Sequence, residues 1–221
     1  MSSMVAIVGP PHAGRFVLIA LMAAPLVLGS FGAAFSDQLE VVVRPDEPPG
    51  FVEKLTTAAL NRTGNEIRYD GRYHSIGYPG GDVPAHLGVC TDVLIRSYRM
   101  LGIDLQKEVH EDMSAVFHLY PTRWGLAGPD PNIDHRRVPN LEVFFARKGH
   151  ALPVTDDSRD YQPGDIVSWM VGNLPHIGMI VPVRSEDGLR FLVVHNIGRG
   201  PEVEDMVFAY PIVGHFRYYG P

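Results

Sequence analysis

The chain has 221 residues, 45% hydrophobic and 20% charged, enough apolar material for one folded domain and too much for a disordered chain. Its single cysteine excludes an internal disulfide and a thiolate-rich zinc cage, so packing must hold the fold together. With 19 basic against 25 acidic side chains the formal charge is −6, which argues against nucleic acid as a partner because phosphate neutralisation needs clustered positive charge.

The first 35 residues carry one charged side chain, Arg15, ahead of the apolar block from Phe16 to Leu28. That start and the small-residue pairs Ser30/Gly32 and Gly32/Ala34 form a signal-peptide plan with cleavage near residue 34. The rival is an uncleaved anchor, since Phe16 to Phe35 spans 20 residues, about the length of a bilayer crossing. Pro25 and the small residues favour cleavage, and no cysteine follows to carry a lipid. The expected organisation is a leader at 1–35 and one domain at 36–221, exported to a periplasm or secreted, with membrane contact only through an uncleaved leader. Removing the leader leaves 18 basic against 25 acidic side chains.

Along the remaining chain, Phe51, Leu55, Ala58 and Ala59 recur at helical steps after Pro48-Pro-Gly50, predicting a helix that ends near Gly64. Residues 69–88 are rich in glycine and proline and read as loop. From Cys90 to Leu101, Val93, Leu94, Ser97, Tyr98 and Leu101 share one helical face, and a further helix is expected from Asp104 to about Leu119. Residues 120–140 are punctuated by prolines and glycines and are expected to be mostly irregular. Then the period changes. Asp165–Val171, Ile177–Val183, Arg190–His195 and Ile212–Tyr219 are short and rich in β-branched and aromatic residues, predicting strands, with a hairpin turn at Ser185-Glu-Asp-Gly188. Helices first and an antiparallel meander after give an α+β class.

The chemistry concentrates at Cys90, where a loop meets a helix and the helix dipole should favour a thiolate. If the second and third strands form one hairpin, His176 at the start of one arm and His195 at the end of the other become neighbours. One imidazole can then act as base while the other orients it, and backbone N–H groups at Cys90 can form an oxyanion hole. Asp92 either stabilises the first helical turn or opposes the thiolate, and its direction decides. Asn196 competes with His195 for the orienting role. Arg136 and Arg137 sit in a polar cluster that is either internally paired or binds a substrate carboxylate. No metal site is expected, because His110-Glu111 lacks the second histidine of a His-Glu-x-x-His helix; that position holds Ser114.

Gly88-Val-Cys-Thr-Asp, Tyr161-Gln-Pro-Gly-Asp-Ile-Val-Ser-Trp169, His176-Ile-Gly-Met-Ile and Val193-Val-His-Asn196 resemble the ordered motifs of the papain-like, NlpC-type cysteine peptidases. Tyr78, twelve positions before Cys90 and followed by Pro-Gly-Gly, resembles that clan's oxyanion-site tyrosine. Residues from about 50 to 219, including Ile76-Gly-Tyr-Pro-Gly-Gly-Asp-Val-Pro84 and Asp130-Pro-Asn-Ile-Asp-His-Arg-Arg137, are similar to bacterial domain-of-unknown-function family 1287. The resemblance implies a papain-like fold and a cofactor-free thiol amidohydrolase acting on a cell-wall (peptidoglycan) peptide, with Cys90 as nucleophile, His176 as base and His195 as orienter. An acyltransferase using the same pair, and a non-catalytic binder on the same fold, are the alternatives.

Overall fold

The computed structural model describes residues 47–221, so the expected leader at 1–35 lies outside the described residues. Gly50, at φ 68°, turns the chain into helix α1 (Phe51–Leu60), and Pro48 O accepts the Phe51 N–H at 2.9 Å. Its inward stripe is the one the sequence period predicts: Phe51, Leu55, Ala58 and Ala59 are buried. A short parallel pair follows, β1 (Arg68–Tyr69) with β2 (Leu87–Gly88), in which Tyr69 lies opposite Gly88. Helix α2 (Cys90–Met100) starts two residues later, so the parallel pair delivers Tyr69 to the start of α2. Helix α3 (Leu105–Val116) opens on Asp104, whose carboxylate accepts the Gln106 N–H at 3.1 Å, and runs on through a 3-10 turn at Phe117–Leu119.

The segment 120–140 is irregular only in part. It contains a 3-10 turn at Asp134–Arg136, and helix α4 (Val138–Lys148) begins inside it. Pro139 sits in the first turn of α4, where a missing N–H costs nothing, so it starts this helix rather than breaking it. Both ends of the segment are tied down. The Tyr120 hydroxyl donates to Asp112 at 2.7 Å, and Arg136 is held by groups described below.

Six strands form one antiparallel sheet in the order β3-β8-β4-β5-β6-β7: β3 (His150–Ala151), β4 (Ile166–Val171), β5 (Leu174–Arg184), β6 (Phe191–His195), β7 (Glu202–Glu204) and β8 (Ile212–Arg217). With the four α-helices of the described residues this is an α+β architecture. Ile166, Ile177, Met179, Val194 and Phe216 pack against Leu55, Leu94, Leu105, Leu141 and Phe145 of the helices. The other face is covered too, by Tyr161, Met206 and Val207 over Val167, Trp169, Ile180 and Val193. Burial on both faces explains why these strands read as near-continuous apolar runs rather than alternating ones. The β5–β6 turn is the expected one: Gly188, at φ 72°, lets its N–H reach Ser185 O at 2.8 Å. Among the described residues, no helix is long and apolar enough to cross a membrane.

Candidate active site

Cys90 is the first residue of α2, packed in the core against Ile177 and only 5% exposed. Its sulfur faces the N–H of Ile177 and the amides of Thr91 and of Cys90 itself. The helix-start amides therefore point where the sequence places them, but they do not win. Burial pushes the thiol up to about 11, with Asp92 adding to the rise, so the resting group is a thiol and not the thiolate the helix dipole suggested.

One residue before Ile177, His176 leaves β5 and meets His195 of β6: His176 Nε2 and His195 Nδ1 lie 3.1 Å apart, with the rings nearly perpendicular. The hairpin register produces this meeting, since Met179 pairs with Val194 and Ile180 with Val193. Gly178 makes it close. A Cβ there would lie 2.9 Å from Val194 O and 3.1 Å from His195 Cβ, so any side chain would push β6 away. Burial pulls His176 down to about 4, with His195 adding to the fall, and burial also lowers His195. At rest the imidazoles bond each other, and the sulfur's neighbours are amides and a tyrosine hydroxyl.

That tyrosine is Tyr69 and not Tyr78. The Tyr69 hydroxyl shares the cleft lining with Cys90 and is pushed up to about 12 by burial, then by the neighbouring Cys90 and Asp92. Tyr78 sits instead on α3, its ring edge-on to His110 at 4.9 Å between centroids. A spacing of twelve residues before the cysteine pointed to the wrong tyrosine. The usable signal was strand pairing, because Tyr69 lies directly opposite Gly88 in the β1–β2 pair.

The remaining expected site residues fall into place by their partners. Asp92 turns away from the sulfur: it accepts the Val89 N–H at 2.7 Å and the Arg136 guanidinium at 2.9 Å. Arg136 is correspondingly no free substrate clamp. Its side chain is 2% exposed, forks onto Asp92, and also donates to Asp70 O at 3.1 Å and Arg72 O at 3.4 Å. Arg137 donates to Asp134 at 2.9 Å and lies 4.0 Å over the Trp124 ring, yet it still lines the cleft at the sulfur. Asn196 does not orient either imidazole; its Oδ1 accepts the N–H groups of Gly198 at 3.0 Å and Gly200 at 3.3 Å and so builds the turn after β6. Asp165, at the start of a predicted strand, accepts the Gln162 N–H at 2.8 Å and also anchors His215 and Arg217.

A residue not singled out in the sequence completes the histidine pair. Glu204 Oε2 lies 3.0 Å from His195 Nε2, and its other oxygen takes the Arg199 guanidinium at 2.9 Å. Among the described residues, His195, Glu202 and Glu204 form the one group able to hold a metal, with ligand atoms within 4.8 Å of one another. Arg199 pairs with both carboxylates and offsets one of their two negative charges. A cleft of about 210 Å³ opens on the sulfur, walled by Tyr69, Trp124 and Arg137 and reaching Pro175, the neighbour of His176.

The family model described as "Domain of unknown function (DUF1287)" matches residues 56–218. A protein of Escherichia coli (strain K12), described as uncharacterized protein YijF, is 45% identical over 206 residues, covering 90% of this chain and 99% of its own length. Among solved structures, NlpC1 from Trichomonas vaginalis is 16% identical with a TM-score of 0.41, over 78% of this chain and 46% of that one.

Proposed function

The chain belongs to the DUF1287 family, and we propose that it is a thiol amidohydrolase of papain-like design, exported and acting on an amide bond of a cell-wall peptide. The observation that carries this reading is the bonded His176–His195 pair, held on adjacent strands one residue from the amide that faces the Cys90 sulfur. The peptide substrate rests on the likeness of the motifs to NlpC-type peptidases, and export rests on the leader-like residues 1–35.

Cys90 attacks the amide carbonyl while His176 takes the thiol proton, so an S–C bond forms as the imidazole becomes imidazolium. Because both resting groups favour their neutral forms, proton and sulfur move together on substrate rather than through a standing ion pair. His176 then protonates the leaving amine as the C–N bond breaks. Water attacks the resulting thioester, giving its proton to His176, and releases the carboxylic acid and the thiol. The amides of Cys90 and Ile177 and the Tyr69 hydroxyl are the donors available to the oxyanion.

The test is incubation of the protein and its Cys90→Ala variant with peptidoglycan fragments, weighing products by mass spectrometry. Fragments gaining one water per cut, from the wild type alone, are expected. An identical pattern from both proteins refutes the hydrolase, and fragments joined to an added amine instead of water would make it an acyltransferase.

A further inference from the structure

We propose that Glu204, held by Arg199, is a positioning residue that sets the tautomer of both imidazoles and thereby leaves His176 Nδ1 free as the base. The inference rests on the catalytic reading of His176 given above, and deepens it.

The argument is one of donor and acceptor arithmetic along a single line of groups. A carboxylate can only accept, so the 3.0 Å contact with Glu204 Oε2 requires the proton of a neutral His195 to be on Nε2. His195 Nδ1 is then a lone pair, and the 3.1 Å contact can be made only by an N–H on His176 Nε2. One proton per neutral ring leaves His176 Nδ1 bare. Reversing the end of the line reverses every member. If His195 carried its proton on Nδ1, His176 Nε2 would have to accept and His176 Nδ1 would carry the hydrogen, leaving no base for a thiol.

The surroundings favour the first arrangement. His195 is fully buried, which holds it neutral, and Glu204 is the acidic group bonded to it. The charged and titratable groups facing His195 are His176 on β5, Glu202 and Glu204 on β7, and Arg199 in the connecting turn. Among the described residues only Glu204 and His176 bond its ring. Glu202 lies opposite His195 in the strand ladder and pairs with Arg199. Arg199, 72% exposed, fixes the second oxygen of Glu204 and so keeps the first one aimed inward. The wrong tautomer in a hydrolytic triad costs about four orders of magnitude in kcat even when geometry survives.

The decisive measurement is two-dimensional NMR of the protein labelled with 15N at histidine, which reports which ring nitrogen is protonated without any substrate. At neutral pH both His176 and His195 should show a bare Nδ1 and a protonated Nε2. Glu204→Leu should move both rings toward the opposite tautomer and slow alkylation of Cys90 at least about tenfold. Glu204→Gln, which keeps an accepting oxygen, should recover most of the wild-type pattern, and Glu202→Gln should leave the nitrogens unchanged. A protonated Nδ1 on His176 in the wild type, or unaltered nitrogens in folded Glu204→Leu, would overturn the proposal. Failure to cut peptidoglycan with the nitrogens as stated would count against the proposed function alone.

Discussion

Replacing Arg136 by methionine separates two accounts of the polar cluster beside the cleft. Arg136 and Asp92 are 2% and 4% exposed at the side chain and meet at 2.9 Å, so the substitution strands a carboxylate in the interior and also removes the donor to Asp70 O. Breaking a buried pair by removing one partner costs about 3–5 kcal/mol. For a domain of this size each kcal/mol lowers Tm by about 2–4 °C, so Arg136→Met should melt roughly 6–20 °C below the wild type. Urea unfolding followed by the fluorescence of Trp124 and Trp169 measures the loss. The double variant Asp92→Leu with Arg136→Met should lose less than the two single losses added, because the stranded charge is gone. A loss under about 1 kcal/mol for Arg136→Met would refute the reasoning, since that is what an exposed guanidinium awaiting a substrate carboxylate would give.

Tyr69→Phe removes the hydroxyl at the sulfur while leaving the ring in the cleft wall; turnover should fall about 100-fold, as for loss of one oxyanion donor, with stability nearly unchanged. Equal kcat for the two proteins would reassign Tyr69 to packing. Gly178→Ala forces β6 away from β5 and should cost about 1–3 kcal/mol while breaking the His176–His195 bond; a crystal structure of the variant with the 3.1 Å contact intact would contradict this. His135, 2% exposed, is lowered by burial from 6.5 to about 4, with Arg136 adding to the fall. Between those pH values the unfolded chain binds more protons, so stability declines as pH falls through the window, by up to about 3 kcal/mol from this residue. Urea titrations at pH 7 and pH 4 should show a smaller difference for His135→Gln than for the wild type; an equal difference would show that His135 is not the titrating group.

What the sequence made legible is what repeats with a period or closes a hairpin. The inward stripes of α1 and α2 followed from three- and four-residue steps, and the meeting of His176 with His195 followed from a turn at Asp187-Gly188 between two apolar runs. Helix α4 is masked in the sequence by Pro139, which breaks a helix interior but at the first turn starts one. Strand β7 is three residues of Glu-Val-Glu at the sheet edge, with no apolar pattern to announce it, and Glu204 was invisible with it. Tyr69 carries no motif of the kind that marks Tyr78; pairing between distant strands sets it opposite Gly88, beside the cleft. The thiol's direction of shift also escaped, since a helix start argues for the charged form and only coordinates show how deeply the sulfur is buried.

The two anchors of the segment after α3 bear on how this protein can change. Tyr120 is fastened to Asp112 and Arg136 to Asp92, so the stretch between them is a cassette clamped at either end. Trp124, which lines the cleft, sits near its first end. Asn132 and Pro131 hold Ile76 and Gln106 as well, so on the proposed function exchange belongs to the part around Trp124, where it would change what the cleft admits while the frame beneath stays bolted.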